Sequence, residues 1–151
     1  MSVFVAEELS EVLNTKVVIG RINMGLLNRI IIDDVLLDDQ SGQEMLKVTR
    51  LSAKFDIMPF FKGKISISSV QLFGFNINLR KETPDSPPNF KFVLDAFASK
   101  DTVKKENSLD LRINSILIRR GRMSYHVLSE EETPGKFNAK HIQLQNIIAN
   151  I

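Results

Sequence analysis

The chain has 151 residues, with 20 lysines and arginines against 18 aspartates and glutamates, and 43% of its side chains are hydrophobic. This composition is that of an ordinary globular chain and excludes a collagen, a wholly disordered protein and a disulfide scaffold. The absence of cysteine excludes thiolate catalysis, cysteine-ligated zinc and iron–sulfur clusters, while a net charge of +2 with one tyrosine and no tryptophan gives no reason to expect nucleic-acid binding.

The first segment, 1–14, is predicted to form an amphipathic helix. Its apolar residues recur with a period of 3.6, and Asn14 is suited to end the helix in a left-handed conformation. Its polar face carries glutamates, which anionic lipid would repel, so we expect the helix to pack on the sheet at Val18, Ile22 and Ile30 rather than on a membrane. The predicted packing face consists of Val5, Leu9, Val12 and Leu13.

After this helix the period changes to 2, in two strand blocks at 16–81 and 108–151. Alternation of apolar and polar residues indicates strands with one apolar face and one wet face, as in antiparallel sheets. The segment between them, 84–107, is predicted to contain a proline-rich loop, a short helix near 89–98 capped by Asn89, and a charged loop. The predicted packing face of this second helix consists of Phe90, Val93, Leu94 and Phe97.

A finer pattern recurs within the strand blocks: two apolar residues at alternate positions, a gap of two residues, and two more apolar residues at alternate positions. Because side chains alternate between the two faces of a strand, this gap would place the second pair of apolar side chains on the opposite face from the first. A bulge or sharp bend within the gap would return them to the same face. Glycine-containing turns are predicted at 38–42 and 119–122, and Gly74 is predicted to form a turn or a kink. The five copies of the pattern begin at Ile30, Leu46, Ile65, Leu111 and Ile142.

These patterns predict a mainly β fold with two short helices, in which a strongly curved antiparallel sheet has one apolar face. Two short helices are too few to cover that face, so a second layer, another segment or an apolar ligand must cover the rest. A trough lined by aliphatic side chains suits acyl chains, although the same periodicity also fits the closed core of a β-sandwich. The residues predicted to line the trough are Ile65, Ile67, Val70, Leu72, Ile77, Leu79, Leu111, Ile113, Ile116 and Ile118.

The polar residues show no catalytic pattern, and we expect no enzymatic activity, no cofactor and no bound metal. His126 and His141 occupy polar positions of strand patterns without a clear partner at metal-ligand spacing, so they are interpreted as solvated surface histidines. The aspartates between Asp33 and Asp39 lack the spacing of a calcium loop and are interpreted as strand-end and turn carboxylates. Three arginines are interpreted as solvated, with contact to phospholipid headgroups or an acidic partner as the alternative: Arg119, Arg120 and Arg122.

Five stretches carry a resemblance to a known family: LNTKVVIGRI at 13–22, IIIDDVLLDDQSG at 30–42, KISISSVQLFG at 64–74, NFKFVLDAF at 89–97 and ILIRRGRMSY at 116–125. In this order they resemble the TamB family, the inner-membrane subunits of the translocation and assembly module of Gram-negative bacteria, which are related to AsmA-like proteins. The resemblance covers nearly the whole chain and corresponds to the region that follows the N-terminal membrane anchor of that family.

The resemblance implies a periplasmic segment, 1–151, of a longer repetitive β-groove protein whose parent chain is anchored in the inner membrane. It implies a non-enzymatic role in carrying phospholipid between the inner and outer membranes, in assembling outer-membrane proteins with a partner barrel that binds the missing C-terminal region, or in both. The sequence itself shows no signal peptide or membrane span. The alternative is a protein-interaction scaffold whose sheet edges dock neighbouring segments or client strands without binding lipid.

Overall fold

The structure is a computed structural model that describes residues 2–56, 58, 65–98, 109–110 and 113–151. It has the predicted class, mainly β with two short helices. In chain order the elements are α1 (Ser2–Leu13), β1 (Val17–Gly25), β2 (Arg29–Asp38), β3 (Glu44–Phe55), β4 (Ile65–Lys81), α2 (Lys91–Ala98), β5 (Leu109–Asp110), β6 (Ser115–Val127) and β7 (His141–Asn150).

The two strand blocks join in one mixed sheet with the strand order β1-β2-β3-β4-β6-β7. β1 to β4 form an antiparallel meander, and β6 and β7 form a second antiparallel pair. The prediction of a purely antiparallel sheet is wrong at one place, because β4 pairs in parallel with β5 and β6. The chain makes a long crossover through α2 after β4, and parallel pairing requires such a crossover. Among the described residues, β1 and β7 each pair on one side only, so the sheet is open.

The N-terminal helix ends where the sequence predicts. Asn14 has φ of 48°, the left-handed conformation that ends a helix. The Ser10 hydroxyl donates to the Ala6 carbonyl at 2.7 Å and accepts the Val17 amide at 3.0 Å, which ties the last turn of α1 to the start of β1. Neither helix in the described part of the chain combines the length and hydropathy needed to span a bilayer.

Only one of the two glycine-containing turns is present. The predicted turn at 38–42 connects β2 to β3, with Gly42 at φ of 83°. The predicted turn at 119–122 is wrong, because these residues lie inside β6, and the left-handed residue there is Arg120, not the glycine. Gly74, at φ of 65°, lies inside the continuous strand β4, so it forms a kink rather than a turn.

The second helix begins later than predicted. α2 starts at Lys91, and Asn89 does not cap it, because the Asn89 side chain bonds to strand β4 instead. Its Oδ1 accepts the Arg80 amide at 2.9 Å, and its Nδ2 donates to the Asn78 carbonyl at 3.0 Å. Asn89 therefore fixes the proline-rich loop against the sheet, and in this way sets the position from which α2 begins.

Candidate ligand-binding face

The apolar residues of the repeated pattern lie in register across the sheet. In parallel and antiparallel pairs alike, apolar residues of one strand lie beside apolar residues of the next, so they form rows that cross the strands. We call the side of the sheet that carries these rows the apolar face. The four rows are Val17, Leu37, Leu46, Ile77, Met123, Leu144; Ile19, Val35, Val48, Phe75, Gly121, Ile147; Ile22, Ile32, Leu51, Leu72, Ile118, Ala149; and Met24, Ile30, Ala53, Val70, Ile116.

A line of bends crosses the sheet between the second and third rows. Asp34, Gly74 and Arg120, with φ between 53° and 65°, lie at matching positions of β2, β4 and β6, whereas Asn146 of β7, with φ of 53°, lies between the first and second rows. A left-handed residue inside a strand bends it and shifts its side-chain alternation by one position. Both sides of the line contribute to one buried cluster, since Ile32 packs against the residues around Leu37.

The bend that the sequence analysis required is therefore present in the copies that begin at Ile30 and Ile142. In the copy that begins at Ile65, the same correction takes the form of a register shift against β3. In the copies that begin at Leu46 and Leu111, no described gap residue has a positive φ. The structure therefore shows the predicted bend or register shift in three of the five copies.

Most of the predicted trough residues lie in or beside these rows. Ile67 pairs with Phe55, and Leu79 adds a short further row with Tyr125 and Ile142. Ile113 precedes β6 and is half exposed. The backbone of Ile65 pairs with β5, and Leu111 lies outside the described residues. The remaining predicted residues are members of the rows: Val70, Leu72, Ile77, Ile116 and Ile118.

Helix α1 covers the apolar face at the β1 edge. Its contact face is shifted from the predicted one, because Val12 is 48% exposed while Ala6, absent from the prediction, is buried. The cluster around the helix includes Val17, Ile19 and the predicted Ile22, but not Val18, which is 40% exposed. The residues of α1 in this cluster are Val5, Ala6, Leu9 and Leu13.

The segment around α2 packs against the same cluster. Phe90 and Val93 contact it as predicted, joined by Phe92 and Ala96. Leu94 is 58% exposed and takes no part in this contact, because the face of α2 that packs on the cluster is formed by Phe92, Val93 and Ala96. The Phe97 side chain lies outside the described part of the chain.

The opposite side of the sheet is polar and rich in arginine. One row across it reads Arg21, Asp33, Arg50, Phe73 and Arg119. The Arg50 guanidinium donates from Nε to Asp33 Oδ1 at 2.6 Å and from Nη2 to Oδ2 at 3.2 Å. This hydrogen bond lowers the pKa of the Asp33 carboxyl, although burial of that carboxyl opposes the shift.

Arg119, Arg120 and Arg122 belong to this polar side. Arg120 lies over the Phe73 ring at 5.4 Å, a cation–π contact, and Arg119 and Arg122 pair with Phe73 and Asn76 of β4. A lipid lying along the apolar face would have these arginines behind the sheet. Their position therefore does not favour the interpretation that they contact its headgroup.

Asp39 organises the end of the sheet beneath α2. Although it is 3% exposed, its carboxylate accepts hydrogen bonds from the Ser41 hydroxyl at 2.6 Å and the Gln43 amide at 3.0 Å, and also from Arg80 and Asn89. Burial raises the pKa of Asp39, but these hydrogen bonds outweigh it and lower the pKa to about 2. Asp39 and Arg80 also line an open cavity of about 340 Å³. Since the carboxylate is fully bonded, we assign it a structural role.

The two histidines, interpreted from sequence as solvated surface residues, are brought together by the pairing of β6 with β7. His126 and His141 are direct cross-strand partners, and their Nδ1 atoms are 2.8 Å apart. Sequence reasoning missed this contact because it depends on the register of two strands separated by a long loop.

No protein-family model and no curated protein sequence matches the chain.

Proposed function

We propose that this chain is a non-enzymatic module of a TamB-like envelope protein, and that its apolar face forms part of a hydrophobic groove for phospholipid passing between the inner and outer membranes. The observation that carries the proposal is the alignment of apolar side chains in rows across six strands. The periplasmic location, the inner-membrane anchoring of the parent protein and a role in outer-membrane protein assembly belong to the same proposal and rest on the sequence resemblance.

The distribution of covering elements supports an open groove. Among the described residues, α1 packs on β1, and the cluster that includes residues of α2 involves the β1 to β3 side of the sheet. The apolar face nevertheless stays partly exposed at both edges, since Leu144 of β7 is 46% exposed and Met24 of β1 is 68% exposed. An apolar surface that is only partly covered has an affinity for another apolar body.

The chemistry of the rows suits an acyl chain. The row residues are aliphatic or aromatic apart from Met24, Met123 and three small residues, Ala53, Gly121 and Ala149, so the rows offer few directional hydrogen-bond partners. Each Å² of apolar surface removed from water stabilises the bound state by about 25 cal/mol, whatever the lipid headgroup. Such a face would bind lipids through the length of their acyl chains and the exclusion of water from the groove, and not through the identity of the headgroup.

Leu144 and Ile148 provide a matched pair to test the proposal. Both are apolar residues of the edge strand β7, but alternation around the bend at Asn146 places Leu144 on the apolar face and Ile148, 75% exposed, on the polar side. We expect a photocrosslinking amino acid at position 144 to label phospholipid in membrane extracts, and one at position 148 to label little or none. Because Ile148 is the more exposed, equal labelling would show non-specific contact and contradict the proposal.

The same pair can be tested by substitution. Leu144→Asp places a carboxylate on the apolar face, whose desolvation opposes acyl-chain binding, and we expect at least about a tenfold loss of phospholipid retained in native mass spectrometry. Ile148→Asp is the control and should retain lipid like the unmodified chain. Loss of lipid in both variants, or in neither, would count against binding at the apolar face.

A second candidate function, a protein-interaction scaffold, is favoured by the composition of the β7 edge. Strand β7 contains no lysine, arginine, aspartate, glutamate or proline, and these are the residues that natural edge strands use to prevent pairing. Its free side could accept a further strand of polypeptide by main-chain hydrogen bonds. If this is the function, Gln145→Pro in β7 should abolish association with strand-forming partners, while Leu144→Asp leaves it intact.

A further inference from the structure

The end of the β6–β7 pair carries a cluster that the groove does not explain. His126 and His141 alternate with Tyr125 and Ile142, which belong to the apolar face, so the imidazoles project from the other side of the sheet. One ligand atom from each of these histidines and one from Glu132 lie within 4.8 Å of one another. Two imidazoles and a carboxylate at this separation form a donor set that fits a transition-metal ion.

A backbone carbonyl fixes the orientation of one imidazole. His141 Nε2 lies 2.8 Å from the Glu130 carbonyl oxygen, which is only an acceptor, so this nitrogen carries the proton. In the neutral imidazole, Nδ1 of His141 then presents a lone pair, and this nitrogen lies 2.8 Å from Nδ1 of His126. A metal-binding histidine is characteristically held in this way, with its second ring nitrogen donating to a carbonyl or carboxylate.

The distance between the two Nδ1 atoms is close to the one that a shared ion requires. They lie 2.8 Å apart, with His126 donating to His141 when no ion is present. Two nitrogen ligands of a tetrahedral Zn²⁺ are about 3.3 Å apart, so the rings need to separate by only about half an ångström. His126 then takes the tautomer protonated at Nε2, and both lone pairs point to the ion.

The loop that supplies the carboxylate is held close to the histidines. The Asn138 side chain donates to the Glu131 carbonyl at 3.1 Å and accepts the Lys140 amide at 3.0 Å, which braces residues 128–140 across the loop. The nearest cation along the histidine row, Arg80, is already paired with Asp39. Glu132 is exposed, so the loop leaves the remaining coordination positions open to water.

We propose that His126, His141 and Glu132 form a Zn²⁺ site that fastens the 128–140 loop to the end of the β6–β7 pair. The site has three protein ligands and an open position, and imidazole with carboxylate favours zinc over calcium or magnesium, which prefer oxygen ligands alone. It lies on the side of the sheet opposite the apolar face, so the inference does not depend on lipid binding.

Isothermal titration of the purified chain with ZnCl₂ tests this site directly. We expect one ion per chain with a Kd on the order of 1 µM, and at least about tenfold weaker binding in His126→Asn, His141→Asn and Glu132→Gln. Glu131→Gln is the matched control, one residue away and outside the donor set, and should bind like the unmodified chain. Binding that survives both histidine substitutions would overturn the site, and unchanged binding in Glu132→Gln would overturn the three-ligand arrangement.

A measurement without substitutions guards against variants that fail to fold. The chain contains only two histidines, so a long-range ¹H–¹⁵N spectrum resolves both imidazoles. We expect Zn²⁺ to shift the Nδ1 signals of both rings together, with both Nε2 atoms protonated. Nδ1 signals that stay in place up to about 1 mM Zn²⁺, a concentration that would saturate even a weak site, contradict the proposal.

Discussion

Replacing Asp39 by alanine is expected to lower the free energy of unfolding by about 3 to 5 kcal/mol, the cost of removing one partner of a buried ion pair. The substitution leaves the Arg80 guanidinium without its carboxylate, and it removes an acceptor from Asn89 and from the turn amide of Gln43. Because Asn89 positions the loop before α2, the loss extends to the packing of that helix. Urea unfolding followed by circular dichroism measures the change.

The charge of Asp39 can be tested separately through pH. The folded pKa of about 2 lies below the ordinary value of 3.8, so the stabilisation is fully present above about pH 4 and is lost as the pH falls towards 2. The shift corresponds to about 2 kcal/mol. We therefore expect the stability difference between the unmodified chain and Asp39→Asn to be constant above pH 4 and to shrink below it.

Asp38→Asn is the matched control for these experiments. Asp38 is the neighbouring residue at the end of β2, and its carboxylate takes no part in the hydrogen bonds around Asp39. Its substitution should change stability by less than about 0.5 kcal/mol, as is usual outside buried networks. If Asp39→Ala cost no more than Asp38→Asn, the network would not stabilise the fold as we describe.

Adding a methyl group at Gly121 is expected to destabilise the sheet by about 2 to 3 kcal/mol, in the range of severe overpacking. A Cβ at this position would lie 2.3 Å from Cζ of Phe75 and 2.4 Å from its Cε1, far inside contact distance. The Phe75 ring is buried, so it cannot turn away into solvent. Gly121 thus leaves the space in the second apolar row that the ring fills.

A double-mutant cycle identifies the ring as the cause of this loss. Phe75→Leu shortens the side chain, and we expect Gly121→Ala to cost at least about 1 kcal/mol less in the Phe75→Leu background than in the unmodified chain. Gly25→Ala is the control, because the closest atom to its added Cβ is the flexible end of Ile31 at 3.0 Å. Equal losses for Gly121→Ala in both backgrounds would mean that the ring is not the obstacle.

Gly121 is a residue whose role could not be predicted from the local sequence. A glycine among three arginines is typical of a turn, and a turn was predicted, but the strand continues and Arg120 takes the left-handed conformation. The glycine is required by a ring 46 positions earlier in the chain, which no local pattern reveals. The two-residue gaps predicted the bends at Asp34 and Asn146 but not the bend at Arg120, which lies outside the gap of its copy.

The helices were predicted in the correct places but with shifted faces. Apolar residues that recur with a period of 3.6 define a stripe about 100° wide on a helix. Whether a residue at the margin of this stripe is buried or exposed depends on how the helix axis lies on its neighbour. Val12 and Leu94 lie on that margin and are exposed, whereas Ala6 and Phe92 pack in the core cluster. For α2 the start of the helix was also decided by Asn89, whose side chain bonds to β4 rather than to the helix.

The sequence by itself determined what depends on local geometry: the two helices, the period of the strands, the single apolar face and the need for bends within it. Only the tertiary structure decided which strands are neighbours, including the parallel pairing of β4 with β6, the ion pair of Asp39 with Arg80 and the contact of His126 with His141. The physical reason is that side-chain periodicity is set within a few residues, whereas strand order and register are set by the lowest free energy of the whole assembled sheet.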